Sequence, residues 1–288
     1  MRPRPAFGRP VAVSARTRRR PANVLDQLLV FHPEPWIDRD WRKQVQLPLE
    51  DVRFTAEDGA RLFGWFLQAT PEAPVLLWCH GNAGNLIHRL DNMALLYRAG
   101  LSVFIFDYRG YGLSEGSPSE EGFYRDARAA YRHLVESRQV PTQRLILFGR
   151  SIGAAVAGNL AVSSSAAGLI LEGAFPSVEA VAKHYYYGLP LHWLISSRFP
   201  LIDQMAQVRM PVLAIHGEQD DIIPIELGRK VYDAAPEPKS WYPVPGAGHN
   251  DCPFIGGKEY LARVNSFIVQ TRAESSLGLF MPKRAKAY

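Results

Sequence analysis

Gly149-Arg150-Ser151-Ile152-Gly153 sets one serine between two glycines, directly after the apolar run 145–148 and before the small-residue stretch 154–161. That is G-x-S-x-G in a strand–turn–helix context, where a sharp turn lifts the serine hydroxyl above the end of a sheet. The glycines are required because side chains two positions either side of the serine would collide in so tight a turn. The helix that follows aims its positive end at the hydroxyl. A serine hydroxyl attacks only when a base takes its proton, and the base must itself be oriented by an acid. Of the eight histidines, His249 is the best base, because Pro245-Gly246-Ala247-Gly248-His249-Asn250 is a glycine-rich loop directly after an apolar run. His32, His88, His133, His184 and His192 fall in predicted helices or an inserted segment. His80 and His216 each precede a glycine at a strand end, where shaping a loop is their expected role.

These side chains need a frame. Short apolar runs at Val75–Cys79, 101–106, 144–148, 168–171, 212–215 and 240–244 suit central strands of a parallel sheet, buried on both faces. Between them, Leu86-Leu90-Met93-Tyr97 and Phe123-Ala127-Ala130-Leu134 step by 4, 3 and 4, which predicts helices laid on the sheet. Ser117-Pro118-Ser119-Glu120 predicts a capping box with Ser117 as cap and proline in the first turn of the second helix. Ahead of the parallel runs, 52–55 and 62–67 flank Asp58-Gly59 and read as an antiparallel hairpin. The fold class is therefore α/β, a mostly parallel doubly wound sheet with an N-terminal antiparallel hairpin. About 40 residues separate Leu171 from Val212, more than a helical crossover needs, and they contain Phe175, Tyr185, Tyr186, Tyr187, Trp193 and Phe199. This predicts a small helical cap, about 175–208, over the strand ends where ligands bind in such sheets.

The acid should lie between Ser151 and His249 in chain order. His216-Gly217-Glu218-Gln219-Asp220-Asp221 follows the run 212–215, and adjacent side chains point apart, so either Asp220 or Asp221 orients the histidine. Glu172, ending the preceding strand, is an outlying alternative. The developing oxyanion of acyl transfer needs two preorganised donors. One is the backbone N–H of Ile152; the other is that of Asn82 in His80-Gly81-Asn82-Ala83-Gly84-Asn85, the loop after Val75–Cys79. The competing reading of that loop is an ordinary turn with a helix cap at Asn85.

The sequence resembles the α/β-hydrolases, in particular α/β-hydrolase domain-containing proteins that carry a histidine-glycine-asparagine-alanine-glycine-asparagine oxyanion loop, some of them acyl-thioesterases. The matching segments are residues 80–85, Asp107 to Ser114, 149–153, His216-Gly217 with Asp220 and Ile223-Pro224, and Gly248-His249. They span about residues 52 to 269. The resemblance implies Asp220 as the acid, three residues after the second histidine-glycine pair, and makes the turn 107–114 structural. It implies a serine hydrolase acting on a carboxylic ester or thioester with no cofactor and no metal. Amide or peptide cleavage uses the same machinery. Many relatives begin with a membrane-anchor helix, where this chain has an arginine-rich arm.

The totals are 288 residues, 47% apolar, 33 basic and 28 acidic side chains, net +5. This excludes a disordered, collagen-like or disulfide-framework chain. The charge is not spread evenly. Residues 1–20 hold seven arginines and no acid, whereas 21–271 carry 22 basic against 27 acidic side chains. Residues 1–23 read as a basic, disordered arm, 24–271 as the hydrolase domain and 272–288 as a basic tail. The arm leaves organelle targeting open, and it is the one feature behind the alternative of a non-catalytic binding protein on a hydrolase scaffold. The apolar positions from Val24 to Leu29 have helical spacing and pack on the domain or touch a membrane surface peripherally. There is no apolar run long enough for a transmembrane segment. Neither a phosphate-cradling loop nor a dinucleotide fingerprint occurs. Cys79 and Cys252 read as two free thiols of a cytoplasmic protein. The expected partner is a small ester or thioester with an apolar acyl group, and no nucleic acid.

Overall fold

Every apolar run becomes a strand, and alternation within each run sends side chains to two cores. In a computed structural model, which describes residues 26, 30–37, 45–185 and 195–276, the strands are β1 (Glu50–Thr55), β2 (Arg61–Leu67), β3 (Val75–Cys79), β4 (Ser102–Phe106), β5 (Leu145–Arg150), β6 (Gly168–Glu172), β7 (Val212–Gly217) and β8 (Lys239–Val244). They form one sheet in the order β1-β2-β4-β3-β5-β6-β7-β8. The pairs β1–β2 and β2–β4 are antiparallel, and from β4 to β8 all are parallel. Val75, Leu77, Leu145 and Leu147 enter one core; Leu76, Trp78, Ile146 and Phe148 enter the other. This is the period-2 geometry of strands covered on both faces.

The covering helices are α1 (Leu90–Arg98), preceded by a 3₁₀ turn at Leu86–Arg89, α2 (Glu120–Arg132), α3 (Ile152–Ser163), α4 (Val178–Tyr185), α5 (Leu201–Met205), α6 (Ile225–Ala234) and α7 (Cys252–Ser276), kinked at Gly257. The first core lies under α2 and α3 and the second under α1 and α7. From β3 the chain winds first to β4 and then back past β3 to β5. The carboxyl ends of β3 and β5 therefore flank the point where the winding reverses, the usual place for a ligand crevice.

Three expectations are corrected. The cap of α2 is Ser119, not Ser117: its hydroxyl accepts from the Gly122 N–H, and the helix starts at Glu120. Pro118 explains the shift, since it packs against Gly110 and belongs to the preceding turn. The run 240–244 is an edge strand with alternating burial, not a central one, and Pro243 is tolerated there for lack of an outer neighbour. The inserted segment also divides. Phe199, Leu201, Met205 and Val208 are fully buried in the first core, with Leu201 against Gly158 of α3, so among the described residues of the segment those on the cavity come from Phe175 to Ile195. Tyr186, Tyr187, Trp193 and His192 lie outside the described residues, as do residues 1–23, Val24 to Leu29 apart from Asp26, and the tail from 277. Cys79 and Cys252 are both buried and free.

Candidate active site

Ser151 sits between β5 and α3 at φ 55° and ψ −124°, a left-handed conformation unfavourable for a residue with a side chain. The flanking glycines show what enforces it. A Cβ on Gly149 would lie 2.4 Å from the Gly153 carbonyl oxygen, and one on Gly153 would lie 2.0 Å from that of Cys79. The turn is thus pressed against the end of β3, and the Ser151 N–H is tied to the Glu172 carbonyl of β6 at 2.8 Å.

His249, on the loop after β8, hydrogen-bonds through Nδ1 to Asp220 Oδ2 at 2.7 Å. A carboxylate only accepts, so Nδ1 carries the hydrogen and Nε2 keeps its lone pair. Asp220 Oδ1 accepts from the backbone N–H groups of Ile222 and Ile223, at 3.0 and 2.7 Å. His216 Nε2 lies 3.3 Å from Asp220 Oδ2 and 2.8 Å from the Ile223 carbonyl. Burial alone would raise the Asp220 pKa, but hydrogen bonds from His216, His249 and the Ile223 N–H outweigh it and hold the carboxyl below its ordinary range. Asp221 is exposed, and Glu172 is engaged elsewhere. Gly173, at φ 59°, lets the His249 ring lie over the end of β6, where a Cβ would come within 3.1 Å of Cε1. Ser151 and His249 line the same cavity, without a hydrogen bond between them.

Asn82 and Ile152 line that cavity as well. Their backbone N–H groups have no acceptor among the described residues. The Asn82 side chain is engaged at both ends: Oδ1 accepts from the Tyr111 hydroxyl at 2.8 Å, and Nδ2 donates to the Val30 carbonyl. Asn85 does cap the following 3₁₀ turn, accepting from the Ile87 N–H at 3.0 Å. Capping by Asn85 and an acceptor-free Asn82 N–H do not exclude one another. Beneath it, buried His80 points Nδ1 at the Gly81 carbonyl, 2.7 Å away, and Tyr108 donates to the His80 carbonyl at 3.0 Å. Asp107 Oδ1 accepts the Leu86 N–H at 3.0 Å. The turn 107–114 is the platform on which the loop rests.

Two contributors escaped the sequence reading. Residues 30–37 run beside the loop, with bridges from Pro33 to Gly84 and Pro35 to Gly112, and place His32 and Glu34 on the cavity wall. Arg150, a variable position of the serine motif, is buried: Nε lies 3.2 Å from Glu172 Oε1, and Nη2 donates to the His249 carbonyl at 2.9 Å and Asn250 Oδ1 at 3.0 Å. Tyr260 donates to Glu172 Oε2 at 2.7 Å. The only sequence signal was a charged pair, Arg150 and Glu172, at the ends of neighbouring runs.

The cavity measures about 760 Å³. Its cap side is apolar, formed by Phe175, Val178, Val181, Ala182 and Ile195, joined by Ile222 and Ile223. Its far side is polar, from Asn82 to Arg89.

A protein of Mycobacterium tuberculosis is 42% identical over 223 residues, covering 77% of this chain and 79% of its own length. The α/β-hydrolase domain-containing protein WAV2 of Arabidopsis thaliana is 34% identical over 238 residues, covering 75% and 77%. The chain belongs to the α/β-hydrolases. A family model described as serine aminopeptidase, S33, matches residues 70–203 of this α/β-hydrolase. Among solved structures, an esterase of Pyrococcus furiosus superposes with a TM-score of 0.69 at 20% identity, covering 83% of this chain and 98% of its own, a likeness of fold. No described helix of this α/β-hydrolase is long and apolar enough to cross a membrane.

Proposed function

We propose that this α/β-hydrolase is a serine hydrolase that cleaves a carboxylic ester or thioester through an acyl-enzyme. The supporting observation is the 2.7 Å His249–Asp220 hydrogen bond on the cavity that Ser151 enters. Ser151 Oγ attacks the acyl carbon while His249 Nε2 takes its proton, and the oxyanion is received by the N–H groups of Asn82 and Ile152. The imidazolium, stabilised by Asp220, returns that proton to the departing alkoxide or thiolate. Water then repeats the sequence on the acyl-enzyme, with His249 as base, releasing the acid and free Ser151. The aliphatic wall of the cap supports an apolar acyl group.

The family description, serine aminopeptidase, favours a second reading, amide cleavage by the same residues. A set of oxyester, thioester and anilide with one acyl chain separates the two, and the ester or thioester is expected to turn over fastest. A fluorophosphonate should label the wild type and leave Ser151→Ala unlabelled. Full labelling of Ser151→Ala, or none of the wild type, would sink the serine-hydrolase reading.

A further inference from the structure

Arg89 is the cation that the proposed chemistry leaves unused. It closes the 3₁₀ turn after the oxyanion loop and lines the cavity opposite the apolar cap. Its Nη2 donates to the Ala83 carbonyl, next to Asn82, while Nε is shut away from solvent with no acceptor. No carboxylate lies within 4.0 Å of its guanidinium among the described residues. Glu34, the acid on that wall, is engaged by His88 at 3.3 Å, and Asp107, whose Oδ1 accepts the Leu86 N–H, attracts the Arg89 cation only from a distance. The second guanidinium of the cavity, Arg150, is already matched by Glu172. Burial first, then repulsion from Arg150, pushes the Arg89 pKa down to about 10, so the cation is retained at a cost.

A half-buried guanidinium with no carboxylate in contact, on the wall of a ligand cavity, is what an anionic ligand group would complete. Its position fixes which part of the ligand that is. The aliphatic lining of Val178, Val181 and Ile195, which suits the acyl chain, packs against the first core, whereas Leu86, Ile87 and Leu90 around Arg89 pack in the second, on the other face of the sheet. Resting on the ester or thioester reading above, we infer that Arg89 binds a phosphate or carboxylate carried by the leaving part of the substrate. The substrate is then an anionic acyl ester or thioester, apolar at one end and charged at the other.

The test uses 1-octanoylglycerol and its 3-phosphate, which share an acyl group and differ in the anion. The full-length wild type is expected to hydrolyse the phosphate with kcat/KM at least about tenfold higher. Arg89→Met should erase that preference by lowering kcat/KM on the phosphate alone, and Arg89→Lys should keep part of it, since lysine retains the charge but not the fork. Equal rates on the two substrates in the wild type, or an equal loss on both in Arg89→Met, would overturn the assignment; the latter would make Arg89 a brace for the Ala83 carbonyl. Fluorophosphonate labelling of each variant reports separately on the hydrolase reading. Should the wild type take no label, calorimetry with octyl phosphate decides the Arg89 site by itself. Binding weakened at least about tenfold in Arg89→Met supports it, and unchanged binding overturns it.

Discussion

The Asp220 carboxyl is held below its ordinary range and faces two histidines, so in the proposed mechanism it acts through orientation and charge. Asp220→Asn keeps the volume but presents an amide where Nδ1–H needs an acceptor, which favours the wrong imidazole tautomer. The expected outcome in steady-state kinetics is a fall in kcat of about 10³ to 10⁴ with KM little changed. A loss in KM alone would mean that Asp220 shapes the cavity instead. A second buried acid shows itself in stability. Burial pushes Asp107 up to about 7 from its ordinary 3.8, whereas burial, with the charge of Arg89, pushes His80 down to about 3 from 6.5. Between pH 3.8 and 7 the folded chain keeps a proton on Asp107 that the unfolded chain has lost, so this group's stability is full at low pH and drains as pH rises. His80 runs the other way, because from pH 3 to 6.5 the unfolded chain binds the proton that the folded chain refuses. Each slope is about 1.4 kcal/mol per pH unit, and from about pH 4 to 6.5 they oppose. Asp107→Asn removes only the falling one. Urea unfolding at pH 4.5, 5.5 and 6.5 should therefore show the variant gaining on the wild type by roughly that slope, and parallel stability curves would refute the paired titration.

At the scale of elements, what was legible followed from local rules. The turn around Ser151 could be read because its two glycines, the apolar run before it and the small residues after it are contiguous in sequence. The strand runs could be read because full burial on both faces leaves an unmistakable apolar signature. The edge position of β8 could not, since Tyr242 and Val244 look the same in a half-buried strand. Ser119 is not distinguishable as cap in the sequence because Ser117 offers the same chemistry two residues earlier, and only the packing of Pro118 on Gly110 separates them. Arg150 was illegible for a different reason: its partners are brought to it by two other strand ends, His249 and Asn250 by the loop after β8 and Glu172 by β6. That network carries a prediction about the loop after β8. Arg150→Met removes the donors that hold the His249 carbonyl and strands Glu172, a buried carboxylate with only Tyr260 left to satisfy it. The expected cost is about 3 to 5 kcal/mol in urea unfolding, together with a lower kcat. Adding Glu172→Gln should recover much of the stability but not the kcat, because the loop remains unanchored. Recovery of both would show that Arg150 matters only for packing.

Across the whole molecule, the ends of the chain differ in kind. The +5 total belongs to the arginines of residues 1–20 and the basic tail, around a domain that is itself acidic. The segment just beyond that arm is part of the site. Asp26 is buried and accepts from the N–H and hydroxyl groups of both Ser196 and Ser197, at 2.6 to 2.9 Å, which fastens the start of the domain to the inserted segment 170 residues away. Phe31 packs edge-on against Phe123 and Phe199, and the Val30 carbonyl holds the Asn82 side chain. None of this could be read from the sequence, because single bridges and one buried aspartate have no period. Two truncations separate the two stretches. Removing residues 1–20 touches none of these contacts, so turnover of a soluble ester should be unchanged, and any salt-sensitive association with anionic lipid or nucleic acid should go with the arm. Removing residues 1–36 takes away Asp26, Val30 and Phe31 together. It should leave the Asn82 amide without its prop and open the first core beside Phe123, lowering both kcat and the unfolding midpoint. A chain lacking residues 1–36 with wild-type kcat would show that the loop 80–85 holds its shape on the Tyr111 hydrogen bond alone.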